Sequence, residues 1–180
     1  MSICGPFDPE LSDLPETMPV FPLSGALLLP RGHLPLNIFE PRYMNMVTDA
    51  LGQDRMIGMI QPRPDQRNAY FMDPDRPEIF STGCAGRITA FSETDDGRFL
   101  ITLTGVCRFT VIEELPENSG GYRRVRGDFA PWKKDLTTPK DDDTPINRDR
   151  LRMALDAYFA QHSLQSCWDT LADSDDEMLI

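Results

Sequence analysis

The sequence predicts an α+β fold: a small, mostly antiparallel β body with one internal helix, followed by a helical segment towards the C-terminal end. Three observations carry this reading. The apolar runs between Pro19 and Tyr43 are cut by five prolines, and proline fixes φ, gives no N–H to a ladder and holds the preceding residue extended, so these runs form short strands joined by corners. Alternating apolar runs flank Asp96-Gly97, a two-residue hairpin signal. Helical spacing of apolar residues is confined to a stretch opened by Pro41 and to residues beyond Arg148.

Residues 1–17 hold Gly5, Pro6, Pro9, Pro15 and four acids with little to bury, and read as an N-terminal arm. Val20, Phe21 and Leu23 give a first strand, Ala26 to Leu29 a second, and Leu34, Leu36, Ile38 and Phe39 a third. Pro41 stands where the first turn of a helix accepts it. Tyr43, Met44, Val47, Ala50 and Leu51 then repeat at helical steps, with Gly52 placed to end a helix over Pro41–Leu51. Arg55–Gln61 is too short for a helix and reads as a buried strand. Pro62–Asp75 is a long loop, in which Tyr70, Phe71 and Met72 either meet a partner or fold back on the core. Strands follow over Gly83–Glu93, Arg98–Gly105, Val106–Leu115 and Tyr122–Ala130, with Gly105 bending the chain.

The β domain therefore covers 18–132. Residues 133–147, rich in proline, threonine and acid, form a linker, and 148–180 begin a helical subdomain with a helix over about Arg148–Gln161. Trp168 and Leu171 suggest a second short helix. Ser174 and Glu177 have capping-box spacing ahead of Met178, Leu179 and Ile180, so the natural chain is expected to continue past Ile180.

Composition narrows the function. The net charge is −11, and it is lopsided: residues 135–180 carry eleven acids against four bases. Such a chain has no general attraction to phosphate backbones or anionic membranes. It has no apolar run long enough to span a bilayer and no signal peptide pattern, and is expected to be cytoplasmic. Cys4, Cys84, Cys107 and Cys167 lie 80, 23 and 60 positions apart without a C-x-x-C pair, against a zinc cage or redox motif. His33 and His162 stand apart from any ligand pattern, and neither a G-x-S-x-G nor a G-x-x-x-x-G-K-[ST] sequence occurs. No catalytic, cofactor or metal residue is assigned.

Several runs carry a family resemblance. Leu34–Tyr43 reads L-P-L-N-I-F-E-P-R-Y, Gly83–Ile88 G-C-A-G-R-I, Asp95–Gly105 D-D-G-R-F-L-I-T-L-T-G, and Val106–Glu113 V-C-R-F-T-V-I-E. In order and spacing these resemble the bacterial-type amino-terminal, substrate-binding domain of the Lon ATP-dependent proteases, over about Pro19–Trp132. The resemblance implies a twisted, PUA-like pseudo-barrel. It also implies a non-catalytic module that binds exposed apolar segments of other proteins, either unfolded or client polypeptides or a separate Lon-type protease. The ATPase and serine-lysine protease modules of that family have no counterpart in these 180 residues.

Two other readings stay open: an RNA-binding PUA-like module using Arg108, Arg123, Arg124 and Arg126, which the charge opposes, and a small-ligand domain, for which no constellation exists. The candidate protein-binding surface comprises Tyr70, Phe71, Met72, Met59 and Trp132. Met44, Met46, Met56 and Met59 supply either an adaptable surface or core. Pro35, Phe39, Glu40, Pro41, Arg42, Tyr43, Gly105, Arg108 and Phe109 read as architectural. Arg108, a charge within an apolar strand, needs a partner, for which Glu40 is the expectation.

Overall fold

The computed structural model describes residues 9–63, 77–116, 118–137 and 147–162. Six strands and two α-helices occur among them: β1 (Thr17–Pro22), β2 (His33–Ile38), α1 (Pro41–Leu51), β3 (Met56–Pro62), β4 (Ile79–Glu93), β5 (Phe99–Glu114), β6 (Arg123–Asp128) and α2 (Arg148–His162). The chain divides into two compact units, Ile3–Thr137 and Thr138–Ile180. The family-type pseudo-barrel expected from the sequence is present in the first unit.

Long β5 organises it. Phe99–Thr110 pairs antiparallel with β4, Phe99–Thr104 pairs on its other side with β2, and Thr110–Glu114 pairs with β6. Strand β6 pairs with β1, β1 runs parallel to β3, and β3 returns to β4. Strands β1, β3, β4, β5 and β6 therefore close on themselves, and β2 extends the sheet outwards from β5. Closure gives the barrel two apolar faces. Met18, Val20, Met56, Ile60, Ala85, Cys107, Phe109, Val125 and Phe129 form one cluster, filled at its centre by Phe109. On the outside, Tyr43, Met46, Val47 and Ala50 of α1 pack with Phe21, Ile57, Met59, Ile101 and Leu103. This is why β3 reads as a continuous apolar run: alternate residues serve opposite cores.

The sequence-expected helix Pro41–Leu51 has the same bounds in the structure, with Pro41 in its first turn. Its exit differs. Gly52 has an ordinary φ of −79°, and the left-handed residue is Arg55 at φ 59°, whose carbonyl accepts from the Ile88 amide at 2.8 Å. The hairpin also differs from a two-residue turn. Only Gly97 takes positive φ, at 77°, and its amide donates to the Thr94 carbonyl at 2.9 Å, giving a longer turn that ends in one left-handed glycine.

Ala26–Leu29 is a loop rather than a strand. Leu28 alone inserts, and Gly86 and Gly105 admit it: a Cβ on Gly86 would sit 2.6 Å from Leu28 Cδ2, and one on Gly105 would sit 1.9 Å from the Leu29 carbonyl oxygen. Arg31, left-handed at φ 65°, donates its amide to the Gly105 carbonyl at 2.8 Å.

The expected linker start at 133 is also corrected. Ala130–Leu136 is a 3-10 helix belonging to the barrel unit, because Trp132 and Leu136 pack against the inner cluster. At the other end, Leu11–Asp13 is a single 3-10 turn, and Leu14 packs against the same cluster. In the second unit, the amide of Arg150 donates to Asn147 Oδ1 at 2.9 Å, capping α2, and Leu151, Leu155 and Phe159 form its more shielded stripe. The suggested helix at Trp168 and the capping box at Ser174 lie outside the described residues. Among the described residues, no helix is long and apolar enough to cross a membrane.

The space at Gly105 gives a direct test. Gly105→Ala drives a methyl into a backbone oxygen that cannot swing away, so it should lower stability in urea by more than about 2 kcal/mol. Gly97→Ala, with open space around its Cβ, should cost only about 1 kcal/mol for its positive φ.

Candidate functional site

A cleft of about 390 Å³ in the barrel unit lies where β1, β2 and β3 end and β6 begins. Proline stops the strands here: Pro22 and Pro62 close β1 and β3, and Pro77 stands opposite. The floor is aromatic. Phe21 and Tyr43 stack with ring centroids 4.2 Å apart. Tyr122 closes one wall, its hydroxyl donating to Asp49 Oδ2 of α1 at 2.7 Å. Phe39 stands at the rim, 63% exposed.

Two arginines border the cleft, and each is held by a carboxylate. Arg42 Nη2 lies 2.9 Å from Glu40 Oε2, with its guanidinium 4.8 Å from the Tyr43 ring centroid. Arg123 makes a bidentate pair with Glu114 at 2.9 and 2.7 Å, and donates from Nη1 to the Pro77 carbonyl at 2.6 Å. The surface is thus apolar with locally cancelled charge. Such a site accommodates large apolar side chains and main-chain amides.

The sequence-predicted surface fares differently residue by residue. Tyr70, Phe71 and Met72 lie outside the described residues. Met59 is buried, 3% exposed, because β3 is covered on both faces; Phe21, Tyr43 and Tyr122 of the cleft are also buried, at 8%, 9% and 5%. Trp132 is half-buried and committed: its indole N–H donates to Thr110 Oγ1 at 3.1 Å, and the Arg108 guanidinium lies 4.2 Å from its ring centroid.

The expected Arg108–Glu40 pair is absent. Glu40 serves Arg42 instead, and Arg108 binds Asp135 through Nε at 2.8 Å and Nη2 at 2.6 Å, with its own amide donating at 3.0 Å. Arg31 adds donations to the carbonyls of Asp135 and Thr137. Asp135 was hidden inside the apparent linker. Phe39 was legible but overlooked, since the alternation of Leu34, Leu36 and Ile38 places the next residue off the buried register.

Burial works to raise the Asp135 carboxyl, but the donors of Arg108 outweigh it and hold the group below the ordinary carboxylate range. Burial pushes the thiols of Cys84 and Cys107 up to about 12. Both stay protonated at neutral pH and are poor nucleophiles.

The fold and the cleft define a small closed-barrel β domain with an aromatic-floored cleft on its outside. The family model of the ATP-dependent protease La (LON) substrate-binding domain matches residues 17–173, and this chain belongs to that family. It is 28% identical over 121 residues to Lon protease 2 of Myxococcus xanthus, a match covering 67% of this chain and 14% of that protein. Lon protease 2 of Thermus thermophilus is 28% identical over 115 residues, covering 64% and 14% respectively. This chain thus matches about one-seventh of the length of these relatives.

Among solved structures, the N-terminal domain of a Mycobacterium avium complex Lon protease superposes with a TM-score of 0.50 at 12% identity, covering 82% of this chain and 69% of that one. That likeness concerns the fold alone. A Lon N-terminal domain protein from Xanthomonas campestris is 25% identical, with a TM-score of 0.48 and coverage of 64% and 59%.

Two outcomes follow. Because the folded Asp135 carboxyl titrates below its unfolded value, its contribution is present at neutral pH and lost as pH falls through and below about 4. Asp135→Asn should cost roughly 1–2 kcal/mol in urea at pH 7, discounted for the exposed side of Arg108, and the gap should close in a pH series towards 3. Iodoacetamide at pH 8 should leave Cys84 and Cys107 unmodified in the native protein, and peptide mapping should find both alkylated after unfolding.

Proposed function

We propose that this chain is a non-catalytic protein-binding module that recognises exposed apolar segments of other polypeptides through the Phe21–Tyr43–Tyr122 cleft. Its partners are unfolded or client proteins, with a separate Lon-type protease as a further partner, and its place of work is the cytoplasm. The observation that carries this reading is the charge-cancelled aromatic cleft on a domain of the LON substrate-binding family. Substrate binding belongs by name to the family domain, and the cleft supports reading this chain the same way.

No observation favours RNA. Arg108 is paired with Asp135, Arg123 with Glu114, and Arg126 with Glu113 and Glu16, so the arginines expected to form a basic face are largely neutralised.

The test is fluorescence anisotropy with a labelled, reduced and alkylated globular protein that cannot refold. The wild type should bind it in the micromolar range. Phe39→Ser, which removes an exposed ring without touching the core, should weaken binding about tenfold, as expected for about 1.4 kcal/mol of lost apolar contact. Absence of binding at several hundred micromolar protein, or an unchanged affinity in the variant, would contradict this reading.

A further inference from the structure

Among the described residues no strand pairs with the side of β2 that faces away from β5, and the register of that side is fixed by the β2–β5 pairing. The amide of Gly105 donates to the Gly32 carbonyl at 2.8 Å, immediately before the pair His33 and Thr104. In an antiparallel ladder alternate residues turn both N–H and C=O towards the partner strand. Leu34, Leu36 and Ile38 therefore bond to β5, while His33, Pro35 and Asn37 turn their main-chain groups outwards. The approach of His33 Nδ1 to Thr104 Oγ1, at 3.0 Å, agrees, because side chains sit closest across the pairs that do not exchange hydrogen bonds.

Pro35 then stands where its missing N–H costs the β2–β5 ladder nothing. On the open edge it has a different consequence. It deletes the middle donor, so a strand that needs an N–H at that position is refused, and edge-to-edge association along the whole of β2 is blunted. What remains competent is the C-terminal end: the N–H and C=O of Asn37, with the Pro35 carbonyl. Among the described residues no strand pairs with this edge. Leu36, Asn37, Ile38 and Phe39 line the cleft, so the open edge and the aromatic floor form one surface.

We propose that an extended, uncharged apolar polypeptide segment docks by adding a short strand to β2 at Asn37 and lowering an alternate apolar side chain onto the floor made by Phe21, Tyr43 and Tyr122. Main-chain pairing supplies affinity without reading sequence, and the cleft selects for a large apolar residue at every second position. The carboxylate held against each arginine leaves no net charge to attract an acidic or basic segment. This assignment rests on the reading that the chain binds polypeptides and specifies how it does so.

The probe is a fluorescein-labelled nonapeptide alternating leucine or phenylalanine with threonine, in three forms: unmodified, N-methylated at its odd-numbered interior amides, and N-methylated at its even-numbered interior amides. Strand addition uses one alternate set, so one methylated form should bind the wild-type protein at least tenfold more weakly and the other within threefold of the unmodified peptide. On the protein side, Asn37→Pro should lose binding to the same extent, with a thermal melt establishing that it is folded. If Asn37→Pro does not fold, the methylated pair decides alone. Equal binding of the two methylated forms would overturn strand addition while leaving polypeptide binding intact. Failure of the unmodified peptide to bind would overturn both.

Discussion

One aromatic ring sets the geometry of this domain. Phe109 occupies the barrel interior, and three different strands turn a glycine towards it. A Cβ on Gly58 would stand 2.9 Å from Phe109 Cζ, one on Gly83 2.6 Å from the same atom, and one on Gly127 3.4 Å from Cδ2. Strands β3, β4 and β6 can close around so large a side chain because none of them places a methyl where the ring lies. Phe129 packs beside it, with centroids 6.0 Å apart. A fully buried phenylalanine is worth about 3–5 kcal/mol against alanine, a large share of the 5–15 kcal/mol that holds a typical domain. Phe109 fills the interior among the described residues, and the proposed recognition uses the outside of the barrel.

What the outside offers follows from how the barrel closes. The parallel pair β1–β3 needs a crossover, and β2 with α1 provides it, laying the helix against the outer face and leaving β2 attached to β5 alone. The ends of β1 and β3 therefore meet the end of β2 and the start of α1 at one place. There the L-P-L-N-I-F-E-P-R-Y run supplies Pro35 to the edge, Phe39 to the rim, the Glu40–Arg42 pair to the wall and Tyr43 to the floor. Seven of these ten residues, Leu36–Glu40, Arg42 and Tyr43, line the cleft. On the opposite side, Arg108, Asp135 and Arg31 pin the 3-10 helix to β5, fixing where the chain leaves the barrel.

The local elements were legible from the sequence because their causes are local. Proline at a first turn and apolar steps of three and four located α1 to the residue, and alternation with a turn glycine located the hairpin of β4 and β5, although β4 begins at Ile79 rather than Gly83 and the two strands expected on either side of Gly105 are one, Phe99–Glu114. The parts that were not legible depend on contacts distant in sequence. Nothing in Ala26–Leu29 distinguishes a strand from a loop whose one leucine plugs a gap between glycines. Nothing near Arg108 points to an acid 27 residues onward in a stretch with the composition of a linker. Ring closure joins Thr110–Glu114 of β5 to β6, a pairing that no local pattern in the sequence encodes. The cleft is hard to read in the sequence for a related reason: the prolines mark the motif as architecture, and only the off-register position of Phe39, 63% exposed, signals a surface.

The most direct test of this account is residue-resolved mapping of where a polypeptide lies on the folded domain. Amide chemical shifts of the 15N-labelled protein should be followed as an apolar nonapeptide is titrated. A filled barrel with an external cleft predicts saturable changes confined to Leu36–Phe39, Ser24, Tyr43 and Tyr122, with the amides of Met56, Gly58, Phe109 and Val125 unmoved. Changes centred on those four interior positions, or on a surface remote from β2, would contradict it.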